Sequence, residues 1–199
     1  MNQPIGRVVL IGGSAGSIKT VHQIITSLPA DYCFPVIIAI HCAFDSDPNI
    51  TRNLRDKSPL NVIEVTDKLK ITLGSIFVAP CGYHLLIENV TNFSLSLDEK
   101  VNFCRPSIDV LFSSAAEVFG ARCVGILLSG ANKDGADGLL DIVQAGGFGV
   151  VQSPESSLVS AMPQAAIDLG IDKRILDPEE IVLFLNSLSK KVDSDQANN

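Results

Sequence analysis

Val8-Val9-Leu10-Ile11-Gly12-Gly13-Ser14-Ala15-Gly16-Ser17 is the stretch on which the fold turns. Four consecutive apolar residues form a buried strand, and a Gly-x-Ser-x-Gly turn follows directly. Beyond it, Ile18, Val21, Ile24, Ile25 and Leu28 recur at helical spacing. A strand that runs through such a turn into a helix holds one hydroxyl exposed at the carboxyl edge of a parallel sheet. The glycines supply backbone angles and close approaches that a Cβ would block. The rival reading of the turn is a cradle for a phosphate at the helix N-terminus. The turn lacks the Lys-Ser/Thr of a P-loop and the full Gly-x-Gly-x-x-Gly spacing.

Working outward, Pro29 ends the first helix and Val36-Ile37-Ile38-Ala39-Ile40 reads as a second buried strand. Asp47-Pro48 is expected to cap a short helix reaching about Lys57, and a third strand is expected over 61–65. Residues 75–79, 83–88 and 93–97 are short strand-like segments separated by turn residues. They read as hairpins, an antiparallel insertion on one edge of the sheet. Pro106-Ser107 caps a helix over 108–119 that Gly120 closes, and an apolar strand over 123–128 follows. That strand ends in Ser129-Gly130-Ala131-Asn132-Lys133-Asp134-Gly135, ahead of a helix through Leu139, Leu140, Ile142 and Val143. A strand over 149–152 comes next. The last helix, 178–188, has Asp177 as N-cap and Glu180 three residues on. The expected fold class is α/β: a doubly wound, mostly parallel sheet with helices on both faces and an antiparallel hairpin addition. Residues 1–189 read as one domain, and 190–199 as a polar tail that frays into solvent.

The chain has 199 residues, 46% of them apolar, enough for one substantial core. No run approaches the roughly 18 apolar residues that span a bilayer, and the polar start at 1–7 does not read as a secretory signal. Cys33, Cys42, Cys81, Cys104 and Cys123 are irregularly spaced without a C-x-x-C pair. That disfavours a disulfide scaffold or a zinc site and favours a cytoplasmic location. A formal charge of −7 without a basic cluster argues against nucleic acid as partner.

In an open α/β sheet ligands gather at the carboxyl ends of the strands. Ser14, His41 and Asp134 all stand at or beyond such ends. Their types are those of a nucleophile, a general base and the group that orients the base. A serine hydroxyl needs a base to take its proton; a neutral imidazole serves, and a carboxylate fixes its tautomer. The chain order Ser, His, Asp differs from the Ser, Asp, His of the α/β-hydrolases. Each residue also has a bland reading: Ser14 as turn former, His41 bonded to a backbone carbonyl, Asp134 as cap of the helix after it. His22 on a helix and His84 in a hairpin are read as structural. The rival function is a non-catalytic or phosphate-binding α/β module that docks receptors or signalling partners.

Over about residues 6–186 the chain resembles the catalytic domain of the chemotaxis receptor protein-glutamate methylesterases, the CheB type. The segments that carry the resemblance are Ile11-Gly12-Gly13-Ser14-Ala15-Gly16, Ile40-His41, Ile76-Phe77-Val78-Ala79-Pro80 and Arg105-Pro106-Ser107-Ile108-Asp109. Leu128-Ser129-Gly130-Ala131-Asn132-Lys133-Asp134-Gly135-Ala136-Asp137-Gly138 and Ala161-Met162-Pro163 complete the set. The resemblance implies Ser14 as nucleophile, His41 as base and Asp134 as orienting carboxylate, with the Ala131 N–H at the oxyanion. It implies methyl-ester hydrolysis on glutamyl side chains, also glutamine deamidation, without metal or organic cofactor. The implied substrate is the cytoplasmic part of a methylated receptor, with a methyltransferase or a separate response regulator as further partners and no membrane insertion. The family usually has threonine at Ala15 and Thr-Gly-Met where this chain has Ser129-Gly130-Ala131. Many members carry an N-terminal receiver domain, whereas here the resemblance begins within the first ten residues.

Overall fold

The computed structural model describes residues 5–41 and 50–196. Seven parallel strands form one sheet: β1 (Val8–Gly13), β2 (Val36–Ile40), β3 (Asn61–Glu64), β4 (Ser75–Val78), β7 (Cys123–Leu127), β8 (Phe148–Gln152) and β9 (Ile175–Leu176). Their spatial order is β3-β4-β2-β1-β7-β8-β9. A separate two-stranded antiparallel sheet pairs β5 (His84–Asn89) with β6 (Asn92–Ser96). The helices are α1 (Ile18–Thr26), α2 (Ile50–Arg55), α3 (Ile108–Phe119), α4 (Ala136–Gln144), α5 (Ala161–Asp168) and α6 (Pro178–Gln196).

The central strands are apolar on both sides because helices cover both faces. With side chains alternating along β1, Val9 and Ile11 pack with Val21, Ile24 and Ile25 of α1 and Ile181 and Leu185 of α6. Val8 and Leu10 point the other way, toward Leu111 and Phe112 of α3 and Leu139 and Ile142 of α4. Among the described residues no helix is long and apolar enough to cross a membrane.

The antiparallel addition departs from expectation in detail. β4 is no hairpin strand; it runs parallel between β2 and β3, all four residues buried. Ile76 faces one core and Phe77 the other, so continuous apolarity marks an interior strand. The β5–β6 hairpin is not an added edge. It packs on the α3 side, with the Ile87 N–H donating to Ser114 Oγ at 3.0 Å and the Phe93 ring centroid 4.9 Å from that of Phe77. α5 and the two-residue β9 were not expected. α6 runs on to Gln196, since no glycine or proline interrupts 189–196. Asp47-Pro48 lies outside the described residues. Cys81 is disulfide-bonded, although the cysteine spacing disfavours a disulfide scaffold, while Cys33, Cys104 and Cys123 are free thiols.

Strand order reverses between β1 and β7, and the crevice at such a switch point, beyond the carboxyl ends, is where open sheets bind ligands.

Candidate active site

Ser14 and His41 are neighbours by register. Gly13 pairs with Ile40 at the ends of β1 and β2, so the next residue on each strand is the serine and the histidine. The His41 N–H donates to the Gly13 carbonyl at 3.1 Å. On the other side of β1, the Ser14 N–H donates to the Ser129 carbonyl at 2.9 Å. The turn is closed by Ser17, whose buried hydroxyl donates to the Ser14 carbonyl at 2.7 Å. Gly16 has φ +82°, a conformation that favours glycine. Gly12 meets a different demand: a Cβ there would run into Ile108 Cγ2 at the start of α3. The absent side chain lets α3 bring its N-terminus up to the nucleophile turn.

Asp134 is fully buried and meets that N-terminus. Its Oδ1 accepts from Ser107 Oγ at 2.6 Å and Asn102 Nδ2 at 3.2 Å; its Oδ2 accepts from the Ile108 N–H at 2.7 Å. His41 Nε2 lies 2.6 Å from Oδ2. Burial on its own would raise the Asp134 pKa, but the donors from His41, Ser107, Ile108 and Asn102 overcome it and hold the carboxyl at about 2. The positive end of α3 favours the same charge. Asp134 therefore does not cap the helix that follows it; Gly135 holds that place. The cap it contributes to belongs to α3.

An ionised Asp134 accepts only, so His41 carries its proton on Nε2 and leaves Nδ1 as the lone pair. Nδ1 faces Cys104 Sγ at 3.4 Å, and Asn132 Nδ2 donates to that sulfur at 3.2 Å. Among the described residues the Ser14 hydroxyl makes no hydrogen bond to His41. Burial, ahead of the other influences, pushes the Cys104 thiol up, so the sulfur is a neutral, weak partner of the imidazole. Cys104, His41 and Asp134 place one donor atom each within 4.8 Å of one another. The ring turns opposite nitrogens to its two partners, so the three groups form a hydrogen-bonded chain.

Behind this chain Asp109 fastens the loop. Its Oδ1 accepts from the N–H groups of Gly135 and Gly138, both at 2.8 Å, and its Oδ2 from Asn102 Nδ2 at 2.8 Å. Burial first, then the Asp134 charge, raises this carboxyl to about 6 against the pull of the two glycine amides. His84 is structural, as read: its Nε2–H donates to the Glu99 carbonyl at 3.0 Å and its Nδ1 accepts the Ser107 N–H at 3.3 Å. It thereby supports the serine that holds Asp134. His22 lies on α1 and touches none of these groups. Ala131 is exposed on the loop between β7 and α4, and among the described residues its N–H, like those of Ala15 and Gly16, is unengaged. Asn102, Cys104, Ser107, Asp109 and Asn132 were missed as members of the site. The sequence signals for them were the run Asn102 to Asp109 leading into a capped helix and, for Asn132, the loop that also carries Asp134.

Residues 9–185 match the family model described as CheB methylesterase. A protein of Leptospira interrogans, provisionally named protein-glutamate methylesterase/protein-glutamine glutaminase, is 41% identical over 89% of this chain and 92% of its own length. The protein-glutamate methylesterase FrzG of Myxococcus xanthus is 32% identical over 85% of this chain and 51% of its own. The crystal structure of the Thermotoga maritima CheB methylesterase catalytic domain superposes with a TM-score of 0.87 at 28% identity, covering 92% of this chain and 98% of that one.

Proposed function

Since this chain belongs to the CheB methylesterase family, we propose that it hydrolyses γ-glutamyl methyl esters on a receptor protein through Ser14, His41 and Asp134. The observation that carries the reading is the 2.6 Å contact between His41 and a buried, fully hydrogen-bonded Asp134, with His41 next to Ser14 in register.

The step begins as Nδ1 of His41 exchanges the weak thiol contact for the Ser14 hydroxyl and takes its proton. Ser14 Oγ bonds to the ester carbonyl carbon, and the charge that develops on oxygen meets the N–H of Ala131 and those opening α1. Asp134 stabilises the imidazolium without taking its proton. His41 then protonates the departing methoxide as the C–O bond breaks. Water, deprotonated by the same nitrogen, cleaves the glutamyl-enzyme to a free carboxylate and Ser14. Glutamine would give the same acyl-enzyme with ammonia leaving instead, so deamidation belongs to the same machinery.

The substrate lies on the cytoplasmic part of a methylated receptor, and a methyltransferase is the reaction class that supplies it. The test is methanol release from a methylated receptor. Wild type releases methanol, and Ser14→Ala lowers turnover by on the order of 10⁴ to 10⁶. Hydrolysis by Ser14→Ala within tenfold of wild type would remove Ser14 from the mechanism.

A further inference from the structure

The turn that carries Cys104 holds a side chain that folding does not explain. Val101 and Cys104 bridge antiparallel, with the Cys104 N–H donating to the Val101 carbonyl at 2.8 Å. Between them Asn102 has φ 49° and Phe103 φ 65°, the paired left-handed conformations of a type I′ turn. Asparagine suits the first position, but the second is one where glycine is preferred. A bulky residue held there is strained. Among the described residues no packing offsets that strain, because Phe103 is 94% exposed. The exposed ring also forgoes the stabilisation that burying a phenylalanine gives.

Both neighbours of Phe103 belong to the site. Asn102 Nδ2 binds Asp134 and Asp109, and Cys104 Sγ lies against the base. The turn that presents the ring to solvent is thus anchored to the site by the residues on either side of it. A second exposed apolar residue borders the nucleophile: Leu158 is 80% exposed, and its Cβ would lie 2.5 Å from a Cβ on Gly16. Its loop is pinned there by Ser129 Oγ, which accepts the Val159 N–H at 3.0 Å and donates to the Ala15 carbonyl at 2.8 Å.

We infer that Phe103, with Leu158 beside the nucleophile turn, is a specificity-determining contact that grips the polypeptide carrying the ester. The inference rests on the methylesterase reading and names what recognises that substrate. A glutamyl side chain is short, so the backbone that bears it must pass across the rim of the site. Apolar side chains flanking the modified glutamate are what Phe103 and Leu158 would cover. A small ester reaches Ser14 without touching them.

The experiment compares kcat/KM on methylated receptor, by methanol release, with kcat/KM on p-nitrophenyl acetate. The proteins are wild type, Phe103→Gly, Phe103→Tyr and Leu158→Ser. Glycine suits the left-handed turn, so Phe103→Gly removes the ring without disturbing the fold. The expected result is a loss of about tenfold or more on receptor, expressed in KM, against less than about twofold on the small ester. Phe103→Tyr is expected to stay within about threefold of wild type on receptor, and Leu158→Ser to show the same selective loss in smaller degree. Equal losses on both substrates, or no loss on receptor, overturn this inference and leave the hydrolase standing. Absence of methanol release by wild type overturns the methylesterase reading and this inference with it.

Discussion

Asp109→Asn probes how the site's electrostatics load the fold. Asp109 is 8% exposed and its carboxyl is pushed up to about 6, by burial first and the Asp134 charge after it. In the unfolded chain it titrates near the ordinary value of about 4. Between these two values the folded protein holds a proton that the unfolded chain has released, so stability falls as pH rises. A shift of about two units corresponds to about 3 kcal/mol, lost progressively from about pH 4 to just above pH 6. Asp134, held down at about 2, moves stability in the opposite sense and only below about pH 4, so it does not mask the effect. The amide that replaces the carboxyl in the variant does not titrate. The chain lacks tryptophan, so urea unfolding is followed by circular dichroism at several pH values. The wild-type minus Asp109→Asn difference in unfolding free energy should fall by about 3 kcal/mol across this window. A difference that stays constant would refute the assignment of a raised pKa to Asp109.

Two further outcomes follow from the same contacts. Asp134→Asn sets an NH2 against groups that are all donors. Turned toward His41 it forces the proton onto Nδ1, so kcat on receptor should fall by about 10⁴; a fall of less than tenfold contradicts the tautomer argument. Ser107→Ala removes a 2.6 Å bond to a buried carboxylate and the side-chain cap of α3. It should lower stability by about 2 kcal/mol in urea titration at neutral pH, and a change within roughly 0.5 kcal/mol, the range of an ordinary surface substitution, would contradict the role given to Ser107.

That Ser14 and His41 stand side by side was legible in the sequence, because apolar runs announce buried parallel strands and register aligns their ends; Asp134 stands farther out, on the loop beyond β7. The partners of Asp134 were not legible. Asn102, Ser107 and Asp109 lie far from it in sequence, and they reach it because Gly12 lets Ile108 close on β1, a contact no local pattern encodes. Local reading also makes Asp134 the cap of the nearest helix, when the helix it serves comes earlier in the chain. Pro80-Cys81-Gly82 beside β4 suggests a hairpin strand; Ile76-Phe77-Val78, apolar toward both faces, is the stronger signal. α5 carries Pro163 inside its first turn and β9 is two residues long, so neither shows enough periodicity to be read.

Reaction with a fluorophosphonate probe, mapped by mass spectrometry, interrogates the activated alcohol without reference to any receptor. Wild type should carry the adduct on Ser14 alone, with the rate of labelling falling by at least about a hundredfold in His41→Ala. An adduct on a different residue, or unchanged labelling of Ser14 once His41 is gone, would contradict the account.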